Sequence, residues 1–97
     1  MNLPDFPTFE TSALARGFDQ VAERVWPAHS VAPAHSHPFS VEALVVKGEM
    51  WLTAHGSTRH LVRGDAFQLD RAVEHAERYG PEGATYWAAR RTGPTPG

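Results

Sequence analysis

The sequence predicts an all-β fold, a small antiparallel barrel, on three observations. Short runs rich in β-branched and aromatic residues recur along most of the chain, as in "SVEALVV" and "GATYWAARR". Turn signals such as "KG", "GST" and "GD" separate them at roughly 8–12 residues per strand, the spacing of a β-sandwich or barrel. The whole is 97 residues long, enough for one core and too short for a second. Seven or eight short strands with tight turns close into a barrel, and closure removes exposed sheet edges.

Residues 1–17, "MNLPDFPTFETSALARG", carry Pro4 and Pro7 and read as an extended N-terminal arm with at most a short turn. Phe6 and Phe9 do not belong in water, so the arm is expected to lie across the body or on a second subunit. "DQVAERVWPA" reads as a strand ending at Pro27, and "VAPAHSHPF" as loop and strand punctuated by proline. "SVEALVV" ends at the turn "KG", "EMWLTAH" leads into "GST", "TRHLVR" ends at "GD", and "AFQL" is a short strand. "DRAVEHAERYG" has helical propensity, but its place among evenly spaced strands predicts a strand. "GATYWAARR" is the last strand, and residues 93–97, "GPTPG", are expected to form a flexible tail. The domain plan is an arm at 1–17, a barrel at 18–92 and a tail at 93–97.

Composition excludes several classes. The net charge of −2 is too small, and of the wrong sign, for nucleic acid or an anionic membrane as partner. With no cysteine there is no disulfide, thiolate zinc site or nucleophilic thiol. No apolar run approaches the ~20 residues of a membrane span, and the N-terminus lacks the basic and apolar regions of a signal peptide. A cytoplasmic protein is the expectation.

The chemistry gathers in "HSHPFSVEALVVKGEM", residues 35–50. Side chains alternate faces along a strand, so His35 and His37 share one side. Glu42 shares a face with Leu44 and Val46, while Val41, Ala43 and Val45 take the other. A carboxylate at the mouth of so apolar a strand is costly to desolvate and calls for a cation. Two inward histidines beside it suggest a metal ion. Val73, His75, Glu77 and Tyr79 share a face of the later strand, which makes His75 the candidate fourth ligand.

These residues resemble the two motifs of the cupin family. His35-x-His37, four residues and Glu42 match the first motif, with Gly48 one residue early and His29 where the motif opens on glycine. Gly64 and His75 are in register with the second, in which Asp70 replaces a proline, Ala72 a glycine and Tyr79 an asparagine. The resemblance covers roughly residues 18–92. It implies a double-stranded β-helix of the jelly-roll type and one divalent transition metal ion, Fe, Mn, Ni, Cu, Zn or Co, held by His35, His37, Glu42 and His75. Three imidazoles and a carboxylate leave one or two positions open, and ligand type does not choose among the metals.

Other residues carry weaker signals. His29 reads as a loop histidine, and His55 and His60 as exposed hairpin residues. Glu77 and Tyr79 either orient a ligand histidine and meet substrate or fill the barrel wall. Glu77, Tyr79, Glu74 and His29 are the candidates for general acid or base, with no catalytic residue assigned. Phe39, Trp51, Phe67, Tyr86 and Trp87 are more often core than pocket. An inward Arg24 or Arg90 would suit an anionic ligand, but strand arginines ordinarily face solvent, and that is the expectation.

The resemblance implies a metal-dependent enzyme acting on a small molecule, of the dioxygenase or isomerase type. The alternative is a non-catalytic module that binds or senses a small molecule. A storage role, as in two-barrelled seed cupins, does not suit this length. A homodimer is expected, from the habit of small cupins and from the need to cover Phe6 and Phe9.

Overall fold

The computed structural model describes residues 2–93. One helix, α1 (Phe6–Ala15), precedes six strands: β1 (Gln20–Trp26), β2 (Val31–His35), β3 (Ser40–Ala54), β4 (Ser57–Val62), β5 (Ala66–Leu69) and β6 (His75–Arg91). All strand pairings are antiparallel. The all-β prediction holds, but the strand count differs, because β3 and β6 each serve two layers. The N-terminal half of β3 pairs with β5 and with the C-terminal half of β6, whose other edge carries β1. The C-terminal half of β3 pairs with β4 and with the N-terminal half of β6, whose other edge carries β2. The result is the double-stranded β-helix that the motif resemblance implies.

Strand length forces this arrangement. A straight strand of 15 residues would span about 50 Å, more than the 38 Å of the molecule's longest axis. β3 therefore bends, at Lys47–Gly48, where its register against β6 shifts. The turn predicted there is a bend inside a continuous strand, since Lys47 and Gly48 still pair with Thr85 and Ala84. Gly48 and Gly83 both have positive φ, 78° and 70°, at this corner. A Cβ on Gly48 would collide with the Gly83 carbonyl oxygen, and one on Gly83 with the Trp26 carbonyl oxygen. Only glycine allows the two long strands to turn in contact.

Between the layers lies a core of Val45, Met50, Leu52, Leu61, Tyr79 and their neighbours. Tyr79 stacks on Trp26 with ring centroids 4.9 Å apart, so it serves as barrel core. Towards the end away from the glycine corner the core gives way to a cavity.

The N-terminal segment is a helix, not an extended arm. Asp5 caps it by accepting a hydrogen bond from the Thr8 amide at 2.9 Å. Pro7 falls in the first turn, where its missing N–H is not needed. Three residues apart, Phe6 and Phe9 meet Trp87 on the outer face of the sheet, with centroids at 5.4 and 5.8 Å. Ala13 joins Phe18 and Ala89 in a second small core there. The two phenylalanines are thus packed on their own chain, which removes the reason they gave for a dimer. At the other end Gly93 O accepts from Arg71 Nη2 at 2.6 Å; residues 94–97 of the predicted tail lie outside the described residues. No described helix is long and apolar enough to cross a membrane.

The segment 70–80 is a strand only from His75, after a turn at Arg71–Ala72. Ala72 and His29 have φ of 66° and 59°, and these are the two positions where the resembled motifs have glycine and this chain has another residue. A left-handed conformation costs an alanine about 1 kcal/mol. Ala72→Gly is expected to relieve most of that, less the added chain entropy of the unfolded state, and to raise Tm by about 2–4 °C in a thermal melt. An unchanged or lowered Tm would show that the turn carries no strain.

Candidate metal centre

Three histidines from different parts of the fold meet in the cavity. His35 ends β2, His37 follows it in the loop, and His75 opens β6 directly opposite His35 in the ladder. One ring nitrogen from each lies within 4.8 Å of the other two. Nitrogens bound to one ion at about 2.1 Å stand at most about 4.2 Å apart, so a side-chain shift of under about 1 Å would close the set.

The backbone fixes how these rings face. His35 Nδ1 lies 2.7 Å from Pro33 O and His75 Nδ1 lies 3.0 Å from Val73 O. A carbonyl only accepts, so each Nδ1 carries the proton and each Nε2 presents a lone pair to the cavity, the tautomer a metal ligand needs. His37 stacks on Phe39, with centroids 4.7 Å apart and planes 8° from parallel. Burial, and after it the neighbouring His35, His75, Arg90 and Arg24, hold the His37 pKa below the usual histidine value. That favours the neutral, ligating form.

The carboxylate in this cluster is Glu77, not Glu42. Glu77 Oε2 lies 3.9 Å from His35 Nε2, and Oε1 lies 4.0 Å from His75 Nε2. The residue is only 6% exposed, and its Oε2 is buried without a hydrogen-bond partner among the described residues. Burial raises its pKa, partly offset by His75, His35 and Arg24. A buried carboxylate oxygen with no partner is costly unless protonated or neutralised by a cation. Both gaps match the span of a nitrogen and an oxygen on one ion. The donor set, the tautomers and the orphaned oxygen therefore fit a divalent transition metal.

Glu42 points the other way. Val41, Ala43 and Val45 face inward from β3, which turns Glu42 to the outer face. There Arg16, at the end of α1, donates from Nη1 to both of its oxygens at 2.9 and 3.0 Å. The structure thus brings His35, His37 and His75 together and leaves Glu42 out of the group. The cause is strand parity: Val41 occupies the inward position next to the cluster.

The remaining candidates divide. Phe39, Phe67 and Tyr86 line the cavity, whereas Trp87 lies under α1 and Trp51 stacks on the outer face with His60 and Arg78. Glu74, His29 and His55 are exposed outside the cavity, and His60 bonds Glu49 at 2.7 Å. Arg24 and Arg90 both line the cavity; Arg24 is also exposed to solvent, as expected of a strand arginine, whereas Arg90 is half-buried, contrary to that expectation. Register explains it: Arg24 lies opposite Tyr86, and Arg90 opposite Val41, both inward residues. The cavity is about 160 Å³, close to the size that admits benzene.

No protein-family model matches the sequence, and no curated protein matches it. Solved structures do. KdgF from Halomonas sp. superposes with a TM-score of 0.65 at 16% identity, over 76% of this chain and 80% of that one. A cupin-like protein from Thermotoga maritima gives 0.67 at 24% identity, over 77% and 60%. DMSP lyase DddQ from Ruegeria pomeroyi gives 0.64 at 25% identity, over 73% of this chain, which spans only 36% of that longer one. The chain is a small cupin-fold protein.

Proposed function

We propose that this chain holds one divalent transition metal ion on His35, His37 and His75, with Glu77 in reach as fourth donor, and acts on a small molecule in the cavity beside it. The observation that carries the reading is the convergence of three imidazole nitrogens, two of them with tautomers fixed by backbone carbonyls, on a buried carboxylate that has no other partner. An ion of this kind supplies Lewis-acid polarisation of a substrate oxygen. The chain's own residues supply the rest. His35 and His75 are pre-oriented by Pro33 and Val73. Phe67, Leu69 and Val41 exclude water from one side of the cavity. Glu77, its pKa raised by burial, faces the cavity and is positioned to pass a proton to a bound molecule when it is not ligating. The kinship in fold with a lyase favours an enzyme over a sensing module. A homodimer belongs to the same proposal. The outer edge of β1 carries no partner strand among the described residues, and Val25 on that strand is exposed. A monomeric mass by light scattering at micromolar concentration would refute it.

The test is metal uptake by apo protein, followed by titration calorimetry. Glu42→Gln is expected to bind as the wild type does, because that carboxylate is engaged by Arg16 outside the cavity. Glu77→Gln is expected to weaken binding by about 10–100-fold, the usual effect of losing a ligand or its close support. Wild-type affinity in Glu77→Gln together with a loss in Glu42→Gln would reverse the assignment.

A further inference from the structure

We infer that the ligand of this cavity is a small carboxylate with an apolar body, its acid group held by Arg24 and Arg90. The inference rests on the reading of the cavity as a ligand site beside the metal, and concerns what lies there with the metal.

The argument begins with how the arginines are used. Arg16 binds Glu42, Arg91 binds the carbonyls of Gly17 and Arg16, Arg71 binds Gly93 O and Arg59 binds Ala66 O. The guanidinium groups of Arg24 and Arg90, like those of Arg63 and Arg78, have no hydrogen bond and no carboxylate within salt-bridge distance among the described residues, but of these four only Arg24 and Arg90 line the cavity. Each guanidinium lies over an aromatic ring at the rim instead: Arg90 4.6 Å from the centroid of Phe39, and Arg24 5.8 Å from that of Trp26. Stacking of this kind holds the planar group in place and leaves its edge N–H donors free. Half-buried Arg90 and solvent-exposed Arg24, on neighbouring strands, give the cavity two cations with free donors, a recognition element for an anion.

The walls narrow the class. Val41, Phe67, Leu69 and Ala88 give the cavity an apolar floor. An anion charged on every side, such as phosphate, would leave oxygens facing hydrocarbon without partners. A molecule with one carboxylate and an apolar remainder satisfies both the arginines and the floor, and the cavity of about 160 Å³ limits the enclosed part to roughly the bulk of a benzene ring.

The experiment titrates benzoate, crotonate and pyruvate, each beside its primary amide, and inorganic phosphate. The proteins are the wild type, Arg24→Gln, Arg90→Gln and the double variant, each metal-free and zinc-loaded, with zinc uptake measured in parallel. At least one acid is expected to bind about tenfold or more tighter than its amide and tighter than phosphate. The double variant should lose that preference and keep wild-type zinc uptake. Equal binding of every acid and its amide would overturn the inference, as would phosphate outranking the acids or a preference that survives the double substitution. Zinc uptake without any preference for an acid would sink the clamp and leave the metal site standing. A preference for an acid in a protein that takes up no metal would sink the metal site and leave the clamp standing.

Discussion

His75→Ala is expected to abolish the stabilisation that a divalent metal gives the wild-type protein. His75 is 3% exposed, its Nε2 tautomer is fixed by Val73 O, and it is the ligand contributed by the long strand β6. A metal that binds only the folded chain stabilises it by about 2.7 kcal/mol at one hundred times Kd. For a domain of this size that is a rise of about 10–20 °C in Tm. Truncation leaves two imidazoles and a carboxylate that now lacks one of its two nearby rings. The variant also loses packing, so the informative quantity is the metal-induced shift within each protein, measured by thermal melts with and without the ion. A shift in His75→Ala equal to that of the wild type would remove His75 from the site.

Gly48→Ala is expected to lower stability by about 3 kcal/mol or more, a Tm loss of about 12 °C or more. The added Cβ would meet backbone on the neighbouring strand, the Gly83 carbonyl oxygen and, at 2.9 Å, Ala84 Cα. No side chain can rotate aside to relieve that contact. Gly56→Ala is the control. Its φ of 74° is nearly the same as the 78° of Gly48, but a Cβ there meets nothing within 4 Å. It should cost only about 1 kcal/mol, the backbone contribution. Equal losses in the two variants would mean that the crossing of β3 and β6 is not close-packed at this corner.

Much of this arrangement was legible in the sequence, and the misreadings share physical causes. Alternation placed His35 beside His37 and set Glu77 on the face of His75, and both relations hold. The same alternation set Glu42 opposite Val41, Ala43 and Val45. Which of those two faces is inward was the missing information, because Leu44 and Val46 make the Glu42 face as apolar in sequence as the other. The helix itself was signalled by Asp5, Pro7 and the three-residue step from Phe6 to Phe9, but two prolines in seven residues outweighed those cues. "KG" is a turn signal because glycine accepts positive φ, and Gly48 does have it. Whether such a glycine reverses a chain or only bends it depends on a partner strand that lies 36 residues further on, since Gly48 pairs with Ala84. That the two arginines border the cavity is hidden for a similar reason: a strand's exposed face and its cavity face both carry charge, and the pattern of one strand alone does not separate them.

The three-imidazole centre can be read from the X-ray absorption fine structure of protein loaded with one equivalent of zinc. Multiple scattering from histidine rings counts the imidazoles on the ion. The structure predicts three, with oxygen completing the shell. One imidazole or none would contradict it, and would place the metal outside the group formed by His35, His37 and His75.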